Sequence, residues 1–201
     1  YSSSNARQFE TILEKNTSKN IDWFFRTMIE TRNLIDYKFG KVTKTKDGIS
    51  VTIINKTNTN APISLYQLKQ NNIVNKIWIQ NVLTDSTFSI PRLGADKIVL
   101  NYNNEVPEYN LRNNWKSLNK FFFNNKPFKL NFFKDLEEPH YNQIFYVPEL
   151  EFNGYDGIAI GLKINNRSIL NKPFTFNISP MLSTNTGTLI GKFNTMVEDN
   201  I

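Results

Sequence analysis

Hydrophobic positions recur at two different periods along this chain, and the change comes near residue 34. In the first 33 residues the spacing is helical. Phe9, Ile12 and Leu13 fall on one face of a predicted helix, with Ser4 or Asn5 placed to cap it. In a second, Ile21, Phe24, Phe25, Met28 and Ile29 follow an i, i+3/4, i+7/8 pattern. Trp23 lies beside that stripe, Asn20 can cap the helix, and Asp22 and Glu30 flank the run. Two helices this short cannot bury such faces against each other, so residues 1–33 read as the end of a helical domain with a larger body.

From Leu34 onward the apolar residues alternate with polar ones. Ile35, Tyr37 and Phe39 are interleaved with Asp36 and Lys38, a Lys46-Asp47-Gly48 turn follows, and Ile49, Val51 and Ile53 resume the alternation. Further predicted strands cover Ile63 to Leu68, Ile73 to Gln80, Thr87 to Ile90 and Lys97 to Tyr102, separated by Asn, Pro and Gly. Short strands at this spacing predict an immunoglobulin-like β-sandwich over 34–104. Residues 105–140 lack a clean period and read as a linker. Its Phe121, Phe122, Phe123, Phe128, Phe132 and Phe133 are expected to pack on neighbouring domains, since left bare they would form an apolar patch.

Residues 141–201 carry the clearest pattern. Ile144, Tyr146, Pro148, Leu150 and Phe152 share one parity, and after "NGYDG" so do Ile158, Ile160, Leu162 and Ile164. The opposite face of that second strand, Gly157, Ala159, Gly161, Lys163 and Asn165, is small or polar throughout. Phe174, Phe176, Ile178 and Pro180 repeat the arrangement, and Leu189, Phe193 and Val197 close it after "STNTGT". Hairpins of this kind fit an ordinary half-buried antiparallel sheet or the start of an outer-membrane β-barrel, and either leaves an edge for a partner. The expected fold is therefore mainly β: a short N-terminal helical segment, an immunoglobulin-like β-sandwich, then antiparallel hairpins of barrel-like pattern.

Composition agrees, with 13% aromatic residues led by Phe, and the absence of cysteine excludes a disulfide scaffold and any Cys-ligated metal. A net charge of +6 would suit nucleic acid or an anionic membrane. Lys and Arg are scattered with no basic arm, so no nucleic-acid partner is expected. No apolar stretch approaches twenty residues, which excludes a membrane-spanning helix. Tyr1-Ser2-Ser3-Ser4 has neither the charged start nor the apolar core of a signal peptide, and the chain reads as an excerpt or a processed piece.

The search for chemistry finds no constellation. His140 is the single histidine and no H-E-x-x-H is present, so a zinc site within the chain is not expected, nor is a serine triad. Glu149 and Glu151 share a strand face at a spacing that would suit acid–base work, but a solvated face is the commoner arrangement. Asn101, Asn103 and Glu105 alternate as in a loose calcium loop, yet only one is a carboxylate. Asn-x-Ser/Thr sequons at Asn16, Asn55, Asn166 and Asn177 are expected by chance in so Asn-rich a chain.

The order of the pieces resembles a known family. "FETILEKNTSKNIDWFFRTMIETRNLIDYKFGKV", "DGISVTIINKTNTNAPISLYQ" and "DKIVLNYNNEVPEYNLRNN" are similar to the tail of the aminopeptidase-N-like (gluzincin) zinc metallopeptidases of Bacteroidetes. "YVPELEFNGYDGIAIGLKINN" and "FTFNISPM…TGTLIGKF" look like the outer-membrane barrel-like region that follows in long members. Trp23, Phe24 and Phe25 match the helix that closes the helical domain, Asn55 and Pro62 a sandwich strand pair, and Asn113 and Asn114 the closing asparagines. The chain departs where "LNY" stands for the family's "LDP". The resemblance implies that Trp23, Phe24, Phe25, Asn113 and Asn114 dock the sandwich against an upstream peptidase domain. Zinc and its ligands would lie in that upstream part, with no cofactor in this chain. The implied role is a non-catalytic, positioning portion of an envelope-associated peptidase-like protein, in the outer membrane or periplasm, with outer-membrane proteins or the membrane as partners. Two alternatives stand: an accessory subunit of an outer-membrane complex with a degenerate peptidase fold, or an independent carbohydrate or adhesin module using Trp78 or Trp115.

Overall fold

The computed structural model describes residues 5–45, 48–119, 126–133, 136–169 and 172–198. Within them the chain is mainly β and divides into two compact units, Tyr1–Asn125 and Lys126–Ile201. The expected cap Ser4, the turn residues Lys46 and Asp47, and Phe121, Phe122 and Phe123 lie outside the described residues.

The first unit begins with α1 (Ala6–Asn16). Asn5 Oδ1 accepts the Gln8 amide N–H at 3.0 Å and the Gln8 side chain reaches back to the Asn5 N–H, a reciprocal cap. α2 (Asp22–Phe24) starts where Asn20 Oδ1 accepts the Asp22 N–H at 3.0 Å, then runs into a π-helical turn, Phe25–Ile29, closed by the Glu30 N–H on the Phe25 carbonyl at 2.9 Å. The wider turn shifts the inward face by about one residue from the regular α-helical stripe. Phe25 and Thr27 are buried while Phe24 is partly exposed.

β1 (Tyr37–Lys44), β2 (Ile49–Asn55) and β5 (Asp85–Ile90) form one antiparallel sheet. β3 (Ile63–Lys69), β4 (Asn72–Ile79), β6 (Lys97–Leu100) and β7 (Trp115–Ser117) form the other, in the order β4-β3-β6-β7. The alternating positions meet between them as an immunoglobulin-like sandwich core of Tyr37, Ile49, Val51, Ile53, Ile63, Leu65, Ile98 and Leu100. Trp23 and Met28 pack against the same cluster, which ties the helical segment to the sandwich.

The described parts of 105–140 contribute elements to each unit. A 3₁₀ turn, Arg112–Asn114, leads into β7, which pairs with β6, and β8 (Phe128–Phe132) pairs with β9 (Asn142–Asn153). Elements of three to five residues are too short to print a period on the sequence. Phe128, Phe132 and Phe133, expected to be covered by neighbouring domains, are exposed.

The second unit is one five-stranded sheet in the order β12-β11-β10-β9-β8, adding β10 (Gly157–Asn165), β11 (Phe174–Ser183) and β12 (Leu189–Val197). β8 runs parallel to β9 and the remaining pairs are antiparallel. Among the described residues the sheet does not close into a barrel. Its two tight turns use left-handed glycines, Gly157 at φ 68° and Gly187 at φ 65°, where a Cβ would strain the backbone.

Candidate functional site

The residues expected to dock the sandwich separate into two groups. Trp23, Phe24 and Phe25 form a chain of edge-to-face rings, with centroids 6.0 Å apart for Trp23–Phe24 and 5.4 Å for Phe24–Phe25, and Phe9 of α1 joins Phe25 at 6.0 Å. Trp23 faces the sandwich core and Phe25 is buried in the helical segment. Phe9, Ile12 and Ile29 remain exposed. The two helices leave apolar surface open, as their length predicts.

Asn113 and Asn114 belong instead to a buried carboxylate centre. Glu108 Oε1 accepts the Tyr37 amide N–H at 2.8 Å, and Oε2 accepts from Asn114 Nδ2 at 2.7 Å and Asn101 Nδ2 at 3.2 Å. Burial, with the Asp36 carboxylate nearby, pushes the Glu108 carboxyl up to about 7 against the lowering effect of those donors. Asp36 is itself raised by burial and accepts from Asn113 Nδ2 at 3.4 Å. The amide oxygens of Asn113 and Asn114 are buried with no hydrogen-bond partner. Asn101, whose spacing only loosely resembles a calcium loop, donates to the Val106 carbonyl at 2.6 Å and accepts the Val106 N–H at 3.1 Å. Glu108 carries no motif that the sequence could announce; the fold brings it to the site where its segment returns beside Ile35.

On the outer face of the four-stranded sheet, Glu105 accepts from Ser64 Oγ at 2.7 Å, Lys76 Nζ at 2.8 Å and the Tyr66 hydroxyl. These donors hold the Glu105 carboxyl below its usual range against the desolvation that raises it. Lys76 lies 5.0 Å from the Trp78 ring centre, so Trp78, though half exposed, is covered by a cation. Trp115 is buried with Tyr66, Leu68 and Val99, which removes it as a solvent-facing binding residue.

Glu149 and Glu151 share a face of β9 and have different surroundings. Glu151 pairs with Lys192, whereas Glu149 Oε2 is buried without a hydrogen-bond partner. His140 sits in the turn before β9. Among the described residues no group of three or more His, Asp or Glu could hold a metal ion.

The second unit's sheet has two chemically opposite faces. Phe132, Tyr146, Ile164, Ile178 and Phe193 form a row across all five strands, and Leu150, Ile160, Leu182 and Leu189 a row across four. That face is the exposed one: Leu150 is 70%, Phe152 78% and Leu189 77% accessible. Every charged residue within the strands, Lys129, Glu149, Glu151, Lys163 and Lys192, lies on the other side. There the small residues Ala159, Ser179 and Ser183 are buried, and a Cβ on Gly161 would run into the Pro180 carbonyl and the Met181 side chain. The Lys192–Glu151 pair joins β12 to β9 over the two strands between them. In a sheet of water-facing proteins the polar side is the wet one; here the apolar side is exposed as well.

No family model, curated protein or solved structure matches the chain.

Proposed function

We propose that this chain is a non-catalytic, positioning portion of an envelope-associated zinc-aminopeptidase-like protein, in which the sandwich is a spacer and the second unit seats in the outer membrane. The observation that carries the membrane part is the uncharged, exposed face of the five-stranded sheet. Strands of nine to twelve residues, β9 to β12, are long enough to cross a bilayer when tilted. Aromatic residues mark both ends of the apolar face, Phe152 and Tyr155 at one and Phe132, Tyr146 and Phe174 at the other, as in the girdles of membrane barrels. An open sheet edge is not tolerated in hydrocarbon, so in a membrane both edge strands, β12 and β8, must pair with further strands. The peptidase part of the reading rests on the sequence resemblance, supported by the way Trp23 and Met28 join a short helical segment to the sandwich core.

Flotation of the purified chain with phospholipid vesicles tests the membrane part. The chain is expected to float, Ile160→Lys on the apolar face to reduce the bound fraction strongly, and Asn194→Lys on the polar face to leave it unchanged. A charge on the lipid face of such a sheet costs about 2–4 kcal/mol at mid-bilayer. A chain that stays soluble, or that responds equally to both substitutions, would overturn this reading. The peptidase part fails if the coding sequence upstream of Tyr1 holds neither an H-E-x-x-H helix nor a decayed form of it.

A further inference from the structure

A cleft of about 590 Å³ lies in the first unit where the helical segment meets one end of the sandwich. Its walls come from separate parts of the chain: Trp23 and Arg26 from the helical turns, Asn33 from the chain leaving them, Asn58 from the β2–β3 loop, and Gln80 and Asn81 from the end of β4. Two of these amides are carried by backbone in the left-handed region, Asn58 at φ 56° and Asn81 at φ 61°, a conformation that Asn adopts more readily than most residues.

The chemistry of the lining is unusual for a pocket of this size, since most such pockets are predominantly apolar. Here carboxamides converge around one indole. Among the described residues, the side chains of Arg26, Asn33, Asn58 and Gln80 make no hydrogen bond or ion pair within the chain. Their donors and acceptors are therefore uncommitted. The two charged lining residues, Asp22 and Arg26, cancel in formal charge, so the cleft does not select an anion or a cation. A carboxamide offers a donor and an acceptor in one plane, as does a pair of neighbouring hydroxyls on a ring. The Trp23 ring, held by its packing on the sandwich core, supplies a fixed apolar face beside them.

We infer that this cleft binds a neutral oligosaccharide, stacking a sugar ring at Trp23 and exchanging hydrogen bonds with the surrounding amides. This site stands apart from Trp78 and Trp115, and it does not depend on the membrane reading of the second unit. A neutral glycan fits the balance of charge and the excess of two-way hydrogen-bonding groups, where the carboxylates of an acidic glycan would gain from Arg26 what they lose to Asp22.

Isothermal titration of the full chain with maltotriose, cellotriose and chitotriose, and with trigalacturonate as an acidic counterpart, tests the inference. At least one neutral trisaccharide should bind with an affinity insensitive to added salt. The double variant Asn33→Ala/Gln80→Ala, at exposed positions that leave the core intact, should weaken that binding about tenfold or more, the loss of one or two hydrogen bonds. Trp78→Phe should leave both the affinity and the ligand-induced change in tryptophan fluorescence in place. The inference is overturned if no neutral trisaccharide binds, if only trigalacturonate binds, or if binding survives the double variant and disappears with Trp78→Phe.

Discussion

Glu108 shows how one buried carboxyl sets the pH response of the sandwich. Its folded-state value of about 7 lies above the ordinary 4.5. The folded state therefore holds the proton more tightly, and the stabilising contribution is fully present below pH 4.5 and lost as pH rises through 7. The full span is worth about 3 kcal/mol. Glu108→Gln should flatten the fall in stability between pH 5 and 8, leaving the variant more stable than the parent at pH 8, as chemical denaturation at several pH values would reveal. The substitution has an acceptor waiting, because the unpartnered Asn114 amide oxygen can turn to receive the new N–H. Asn55 behaves in the opposite sense. Its Nδ2 donates to the Thr59 and Val82 carbonyls at 2.7 Å each and its Oδ1 accepts the Thr57 N–H at 3.1 Å, so the sequon asparagine is a buried staple. Asn55→Ala should cost about 1–3 kcal/mol by stranding the buried Val82 carbonyl, since the Thr59 carbonyl keeps the Tyr37 hydroxyl as donor at 3.0 Å, read as a lower denaturation midpoint with an unchanged slope.

At the scale of elements, the helical segment and the five-stranded sheet each depend on a small set of contacts. Trp23 is half buried against the sandwich core, and Trp23→Ala should cost about 2 kcal/mol, less than truncation of a fully buried tryptophan. Loss of amide-exchange protection confined to Phe25–Ile29 would accompany it, because the π-turn has few other contacts with the sandwich. In the sheet, Gly161 lets Met181 lie across the polar face of β10. Gly161→Val should push that side chain away and destabilise the second unit while leaving the sandwich unchanged, a split visible by hydrogen exchange. The alternation of β9 to β12 was plain in the sequence because strands of this length repeat the two-residue period several times. β7 and β8 were hidden in what read as a linker because three and five residues do not.

For the whole molecule the two units make different demands on their surroundings. The first buries a continuous core between its sheets, with Tyr37, Ile49, Ile53, Ile63 and Ile98 fully inaccessible. The second exposes the apolar side chains of one face and buries Phe145 and Met181 with small residues such as Ala159 and Ser179 on the other. Added nonionic detergent micelles should therefore slow amide exchange in β9 to β12 and leave β1 to β6 unaffected. Equal effects on both units would argue against an apolar face in need of cover.

The sequence by itself determined the mainly β architecture, the switch from helical to strand period near residue 34, and the composition of each face of the last hairpins. These follow from local spacing, which the chain carries before it folds. Only tertiary structure decided which face is exposed, since alternation gives two faces and does not say which one meets solvent. It also decided that Glu108, Asn101 and Asn114 meet around the Tyr37 backbone, and that amides from four separate segments surround Trp23. Those groupings arise from chain returns over distances that no local period records.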